Sequence, residues 1–243
     1  MIEVLTGWGA DWAQWGFAVF LRVGAVMALM PGFGEQSVPQ RVRLVLALAF
    51  TAVVAPAVSV PALDLMGYGA EVLSGLALGM GLRMFVMALQ MAGAIAAQAA
   101  SLSQLVGGAG EPQPALGHLL TISGLALAMA NDLHLRAAEL LILSYDVLPA
   151  GRLPDAADMA DWGLEQVRRA FSLGFSLAAP FVLASLIYNV ALGVINRAMP
   201  QLMVSFIGAP ALTFGGLVLI AVSVPLALAV WIAAFNGWMA NPL

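Results

Sequence analysis

The side chains that could carry chemistry in this sequence are few. His118 and His134 stand outside any HExxH arrangement, and the nearby acids Asp132 and Glu139 lack the spacing of metal ligands. His134, near a helix start, reads as an interfacial polar residue. No Gly-x-Ser-x-Gly elbow supplies a nucleophile. The absence of cysteine removes thiolate zinc sites, disulfides and thiol nucleophiles together. Gly107, Gly108 and Gly110 make a GGAG run, but Glu111 and Pro112 follow where a phosphate loop needs Lys and then Ser or Thr. Neither a catalytic constellation nor a cofactor is expected.

Cations placed where charge is costly are the better clue. Arg22 lies midway along one apolar segment and Arg83 within another. A lipid-facing arginine at mid-membrane costs about 2.5–3.5 kcal/mol on insertion scales. Each therefore snorkels, pairs inside the chain, faces water or meets a neighbouring subunit. Arg197 is the sole charge from residue 170 to the C-terminus, with Asn196, Pro200, Gln201, Gly208 and Pro210 around it. Two further features stand out. Met80, Met84, Met87 and Met91 follow i, i+4, i+7, i+11, one helical stripe that reads either as core filler or as a flexible seal around a conduit. The stretch 101–117, SLSQLVGGAGEPQPALG, breaks an apolar run with glycines, Pro112 and Pro114, so no helix passes through it. It is either a surface loop or a re-entrant loop that closes a pore.

The elements that position these residues follow from composition. Hydrophobic residues make up 62% of the chain and charged residues 9%, with a mean hydropathy of +0.97. A soluble domain carries about 25% charge, so the chain is read as an integral membrane protein. All nine cations are Arg and the net charge is −4, so no basic patch suits nucleic acid. The first fifteen residues are acidic and aromatic and contain no Lys or Arg, so the first apolar segment is expected to be retained rather than cleaved. A span needs about 20 apolar residues. Candidates lie at 12–31, 44–63, 70–100, 115–131, 133–149, 170–195 and 206–235, the fourth and fifth as a tight pair. The fold class is all-α, because a barrel would show period-two alternation. Arg41 and Arg43 before the second span place the 32–43 loop in the cytoplasm, with Glu3, Asp11, Asp64 and Glu71 flanking other ends. Residues 150–169 read as an aqueous loop entering a helix, with Asp161 near its start and Arg168 and Arg169 closing it. A soft division falls there: 1–150, the loop 151–169, and a hairpin 170–243 with a bent, polar tip at Pro200 and Pro210. Gly75, Gly79, Gly93, Ala97 and Ser101 form a small-residue stripe, suited to close helix packing inside the chain or between subunits.

The pattern R-x-x-P-Q-x-x-V-x-x-x-G-x-P, carried by Arg197, Pro200, Gln201, Val204, Gly208 and Pro210, resembles the C-terminal signature of the FliR family, whose injectisome relatives are called SctT. Pro31, Val38, Pro39, Arg41, Val42 and Arg43 carry a second, N-terminal match. Met203 stands where the family often has Asn, which removes a hydrogen-bonding group. The resemblance covers nearly all of the chain. It implies a non-enzymatic subunit of the flagellar type III export gate in the bacterial inner membrane, at the basal body. There it would assemble with FliP-like and FliQ-like subunits, an FlhB-like switch protein and an FlhA-like ring, and exported unfolded proteins would pass through. Residues 1–150 would be FliP-like and 170–243 FliQ-like. Gly107, Gly108, Gly110 and Pro112 would form the pore plug, and Met80, Met84, Met87 and Met91 a pore seal. Arg22, Arg83, Arg197, Pro200, Gln201, Gly208 and Pro210 would contact neighbouring subunits. The small-residue stripe would then serve packing between subunits. The competing class is a secondary transporter or small-solute channel, against which stand the lack of an inverted repeat and the scarcity of acids within spans.

Overall fold

Long apolar runs with no alternation leave helix as the backbone's way of satisfying its own polar groups in lipid. In a computed structural model, which describes residues 2–35, 37–99, 115–198 and 204–242, the chain follows that rule. The helices are α1 (Ile2–Leu29), α2 (Gln40–Val54), α3 (Leu65–Ala99), α4 (Ala115–Ala130), α5 (Leu133–Val147), α6 (Ala156–Ala198) and α7 (Val204–Ala240), with a 3-10 turn at Ala55–Ala57. No strand occurs among the described residues. The protein is an all-α membrane protein. Among the described residues, five helices are long and apolar enough to cross a bilayer, and α4 with α5, bent by 73°, make a sixth candidate.

Several boundaries differ from expectation, each for a local reason. The second span, expected over 44–63, is helical only to Val54; Pro56 sits in the 3-10 turn and Val58 is already extended. The third helix begins at Leu65 rather than 70, because the Asp64 carboxylate accepts the Gly67 amide at 2.8 Å and caps it. Asp155, not Asp161, caps α6, accepting the amides of Ala157 at 2.9 Å and Asp158 at 3.3 Å. Arg168 and Arg169 close nothing: α6 is 43 residues long and runs on to Ala198, with Pro180 inside it. Pro210 likewise lies within α7 and does not end it.

The described chain forms two compact units, and they cut across the division expected at 151–169. The first comprises residues 1–84, 128–167 and 236–243, and the second 85–127 and 168–235. In the first, Val19, Val23, Val26, Leu78, Leu82 and Leu141 are fully buried. The second is centred on Trp231, which stacks on Phe235 at 5.2 Å, while Phe85 meets Phe235 edge-on at 5.4 Å. The Trp231 indole donates to the Phe85 carbonyl at 2.9 Å, so its one polar atom is satisfied in the core. Leu116, Ala96 and Phe181 form a further buried cluster in this unit, with Leu219, Ile220 and Val224 packed against them.

Candidate functional site

In the first unit, two charges are wholly buried on helices that belong to candidate spans. Arg22, on α1, and Glu71, in the second turn of α3, each have no exposed surface. Arg22 Nε donates to Glu71 Oε2 at 2.8 Å and Nη2 to Oε1 at 3.0 Å, a bidentate fork. Arg22 Nη1 donates to the Ser144 hydroxyl at 3.2 Å, and Nη2 also donates to the Leu148 carbonyl at 2.9 Å. The Tyr145 hydroxyl donates to Glu71 Oε2 at 3.2 Å, and the Gly151 amide to Oε1 at 2.9 Å. A carboxylate only accepts, and every group facing this one donates. The Tyr145 ring also stacks on the guanidinium, its centroid 3.7 Å from Cζ. Gly151 has φ +73°, a left-handed conformation that glycine adopts freely, and this aims its amide at Glu71.

The pair can meet because the backbones of α1 and α3 come unusually close. A Cβ built at Gly75 would lie 2.4 Å from the Arg22 carbonyl oxygen, and one at Gly79 would lie 3.0 Å from Leu29 Cβ. Gly75 faces Arg22 and Ala25, and Gly79 faces Val26 and Leu29, so the two helices run parallel. The small-residue stripe therefore serves packing inside the chain at these positions, which corrects the expectation of a subunit interface. Gly93 does the same in the second unit, where an added Cβ would fall 2.2 Å from Gly117 Cα. Small residues replace the missing hydrophobic drive by letting backbones touch.

A second arginine behaves differently. Arg83 Nη1 donates to Glu35 Oε1 at 2.6 Å, with both side chains about a quarter exposed. Glu35 belongs to the turn after α1, which Arg43 also holds by donating to the Glu35 carbonyl at 2.6 Å and the Val38 carbonyl at 3.1 Å. At the other end of the chain, the Trp238 indole donates to Gln166 Oε1 at 2.8 Å and the Trp162 indole to the Pro242 carbonyl at 2.8 Å. Arg136 donates to Asn236 at 2.9 Å, so three side-chain bonds anchor the last residues of α7 and the tail. None of these tryptophan or asparagine contacts was expected from sequence.

The residues singled out by sequence fare unequally. The structure brings Arg22 into the chain's own interior, with donors spent on Glu71, Ser144 and Leu148, so it has no face to offer a neighbouring subunit. Arg197 is exposed in the last turn of α6, where a cation suits the carbonyl end of a helix. Met80 and Met87 are nearly half exposed along α3, while Met84 and Met91 are partly buried. Gly208 and Pro210 lie on the α7 backbone. Gly107, Gly108, Gly110, Pro112, Pro200 and Gln201 lie outside the described residues. No group of His, Cys, Asp and Glu among the described residues could hold a metal ion. The Arg22–Glu71 cluster is saturated and sealed, which makes it a clamp joining α1, α3, α5 and the 148–151 connection rather than a reaction centre.

Residues 14–238 match the family described as bacterial export proteins, family 1. The chain is 37% identical over 225 residues to the flagellar biosynthetic protein FliR of Caulobacter vibrioides, covering 88% of this chain and 89% of that one. It is 31% identical over 237 residues to the protein of the same name in Escherichia coli K12, with 93% and 90% covered. The corresponding protein of Pectobacterium carotovorum is 27% identical over 229 residues. A match spanning nearly the whole length, with identity above 30% to relatives covered almost end to end, places this chain in the FliR family of bacterial export proteins.

Proposed function

We propose that this chain is a structural subunit of the flagellar type III protein export gate, forming part of the channel through which unfolded flagellar proteins leave the cell. One observation carries the reading. Helices α6 and α7, with 43 and 37 residues, are about 65 and 55 Å long at 1.5 Å per residue, twice the roughly 30 Å of a bilayer core. Ile187, Val190, Val194, Val222 and Leu226 on them are all more than half exposed. Helices this long, this apolar and this little covered suit a helical assembly of several subunits better than a lone transporter. Family membership supports a role in export and not in catalysis.

In this reading the chain sits in the bacterial inner membrane at the flagellar basal body, beside FliP-like and FliQ-like subunits, an FlhB-like switch protein and an FlhA-like ring. Residues 1–150 act as the FliP-like part and 170–243 as the FliQ-like hairpin. Gly107, Gly108, Gly110 and Pro112 form the plug across the pore, and Met80, Met84, Met87 and Met91 seal it. Arg83 and Arg197, with Pro200, Gln201, Gly208 and Pro210, contact neighbouring subunits. Native mass spectrometry on the tagged chain, co-expressed with FliP-like and FliQ-like proteins, tests the proposal. The expected result is a hetero-oligomer with several copies of the two small proteins. A monomer or homodimer in their presence would overturn it.

A further inference from the structure

In the second unit, a cleft of about 440 Å³ is lined by Arg168, Arg169, Ser172, Leu173 and Ser176 of α6 and by Val230 of α7. Its α6 residues stand at the point where the helix changes character. Asp158, Asp161 and Glu165 precede the two arginines, and no charge follows them until Arg197. Moving along the helix, the lining passes from two guanidinium groups through two hydroxyls, with Leu173 and Val230 as apolar walls. No acid lines it among the described residues. Both arginines already hold interactions within the chain, and a guanidinium with five donors keeps capacity for a phosphate. The Ser176 hydroxyl donates to the Ser172 carbonyl at 2.7 Å, which leaves its lone pairs to accept. Pro180 has no amide, so the Ser176 carbonyl lacks its helical donor and is a second acceptor at this level.

Along α6 the cations come first, the hydroxyls and the free carbonyl next with Leu173 and Val230 beside them, and the exposed Val182 and Leu183 beyond the cleft, an order that matches a phospholipid from phosphate through glycerol to acyl chain. We propose that the cleft binds the headgroup of an anionic phospholipid, with Arg168 and Arg169 on the phosphate and Ser172 and Ser176 beside the glycerol. The inference rests on the membrane setting of α6 and is independent of the export-gate reading.

The full chain, exchanged into nanodiscs of phosphatidylcholine with a minority of phosphatidylglycerol, tests it by native mass spectrometry of the retained lipid. Wild type is expected to retain phosphatidylglycerol preferentially. Arg168→Gln with Arg169→Gln should lower that preference by roughly 30-fold, the worth of two cations at an anionic surface. Arg168→Lys with Arg169→Lys should keep most of it. No preference in wild type, or an unchanged preference in the glutamine variant, overturns the proposal; if that variant fails to fold, the wild-type result still decides. Inorganic phosphate in excess separates the sources: displacement of the lipid by phosphate alone would make this a free-anion site and overturn it. A photo-crosslinker at Ser172 in the co-expressed assembly should label lipid, and labelling of a neighbouring protein instead would equally overturn it.

Discussion

The α3 span and the helices α6 and α7 are all long, apolar segments, yet they are finished to different degrees. Over half of the apolar window of α3, 56%, is buried within the chain, against 11% for α6 and 17% for α7. The α3 span carries Glu71 and Arg83 and satisfies both with partners inside the chain. From residue 170 onward α6 and α7 carry one charge, Arg197, and leave whole rows of Ile, Val, Leu and Phe bare. In the first region the sequence spends polar groups and glycines on making helices of one chain fit each other. In the second, internal closure is confined to a few points, among them Trp231, Phe235 and Trp238 late in α7 and Phe181 in α6. The first should therefore fail by losing the fold, and the second by losing partners.

The sharpest break of the first kind is Glu71→Ala. It leaves Arg22 buried with its fork unpaired, and breaking a buried ion pair costs about 3–5 kcal/mol. Against a total stability of about 5–15 kcal/mol, the expected outcome is little folded protein and a large drop in thermal midpoint in detergent. Replacing both partners, Arg22→Met with Glu71→Leu, should be milder than either single change, because nothing is then left uncompensated. A Glu71→Ala protein as stable as wild type would show that the clamp holds nothing together.

Helices α6 and α7 should fail in the opposite manner. Ile187 is 70% exposed in the chain, so Ile187→Trp, apolar like the residue it replaces and tolerated in lipid, should change chain stability by no more than about 0.5 kcal/mol. If neighbours cover that face, the larger ring overpacks the contact on assembly and costs about 1–3 kcal/mol there. The measurement is a split: normal chain level, with little hetero-oligomer by co-purification. A normal yield of oligomer would mean that Ile187 faces lipid or water.

Glycines give a finer version of the same contrast. Gly75→Ala puts a methyl 2.4 Å from the Arg22 carbonyl oxygen, and the helices must part, at about 1–3 kcal/mol. Gly193, in α6, has nothing within 4 Å of the corresponding position, so Gly193→Ala should stabilise the chain by up to about 1 kcal/mol through helix propensity alone. Thermal unfolding of the two variants in parallel checks the sign of each. Should both prove neutral, the close approach of α1 and α3 is wrong.

How much of this could be read in advance depends on where the signal lies. Apolar runs and the lack of alternation fix the helices, and an arginine in such a run announces a special position, so Arg22 was visible. Its partner was not. Glu71 looked like a charge flanking a span because the apolar run begins near residue 70, whereas the helix begins at Leu65 under the Asp64 cap. An Asp about six residues before the apolar run is the clue that could have moved the start and turned Glu71 inward. The Leu148 carbonyl and Gly151 amide are backbone groups, available at every residue, and no pattern marks which ones a guanidinium fork will use. Pro210 was over-weighted as a break, since membrane helices tolerate proline where neighbouring groups re-satisfy the backbone, as Pro180 inside α6 also shows.

The smallest effect is expected at Arg83, and it tests whether the two arginines are as different as they look. Its bond to Glu35 is short, 2.6 Å, but both side chains are about a quarter exposed, and such pairs contribute about 0–1 kcal/mol. Arg43 holds the same turn through the Glu35 and Val38 carbonyls, so Arg83→Gln should lower the thermal midpoint of the isolated chain only slightly. The informative reading is the same variant in the co-expressed assembly. An equally small effect there leaves Arg83 a peripheral tie between α3 and the turn after α1. A large loss of oligomer with an intact chain would mean that a neighbouring subunit covers the Arg83–Glu35 pair and turns a weak surface bridge into a desolvated one, as a subunit contact at this arginine requires.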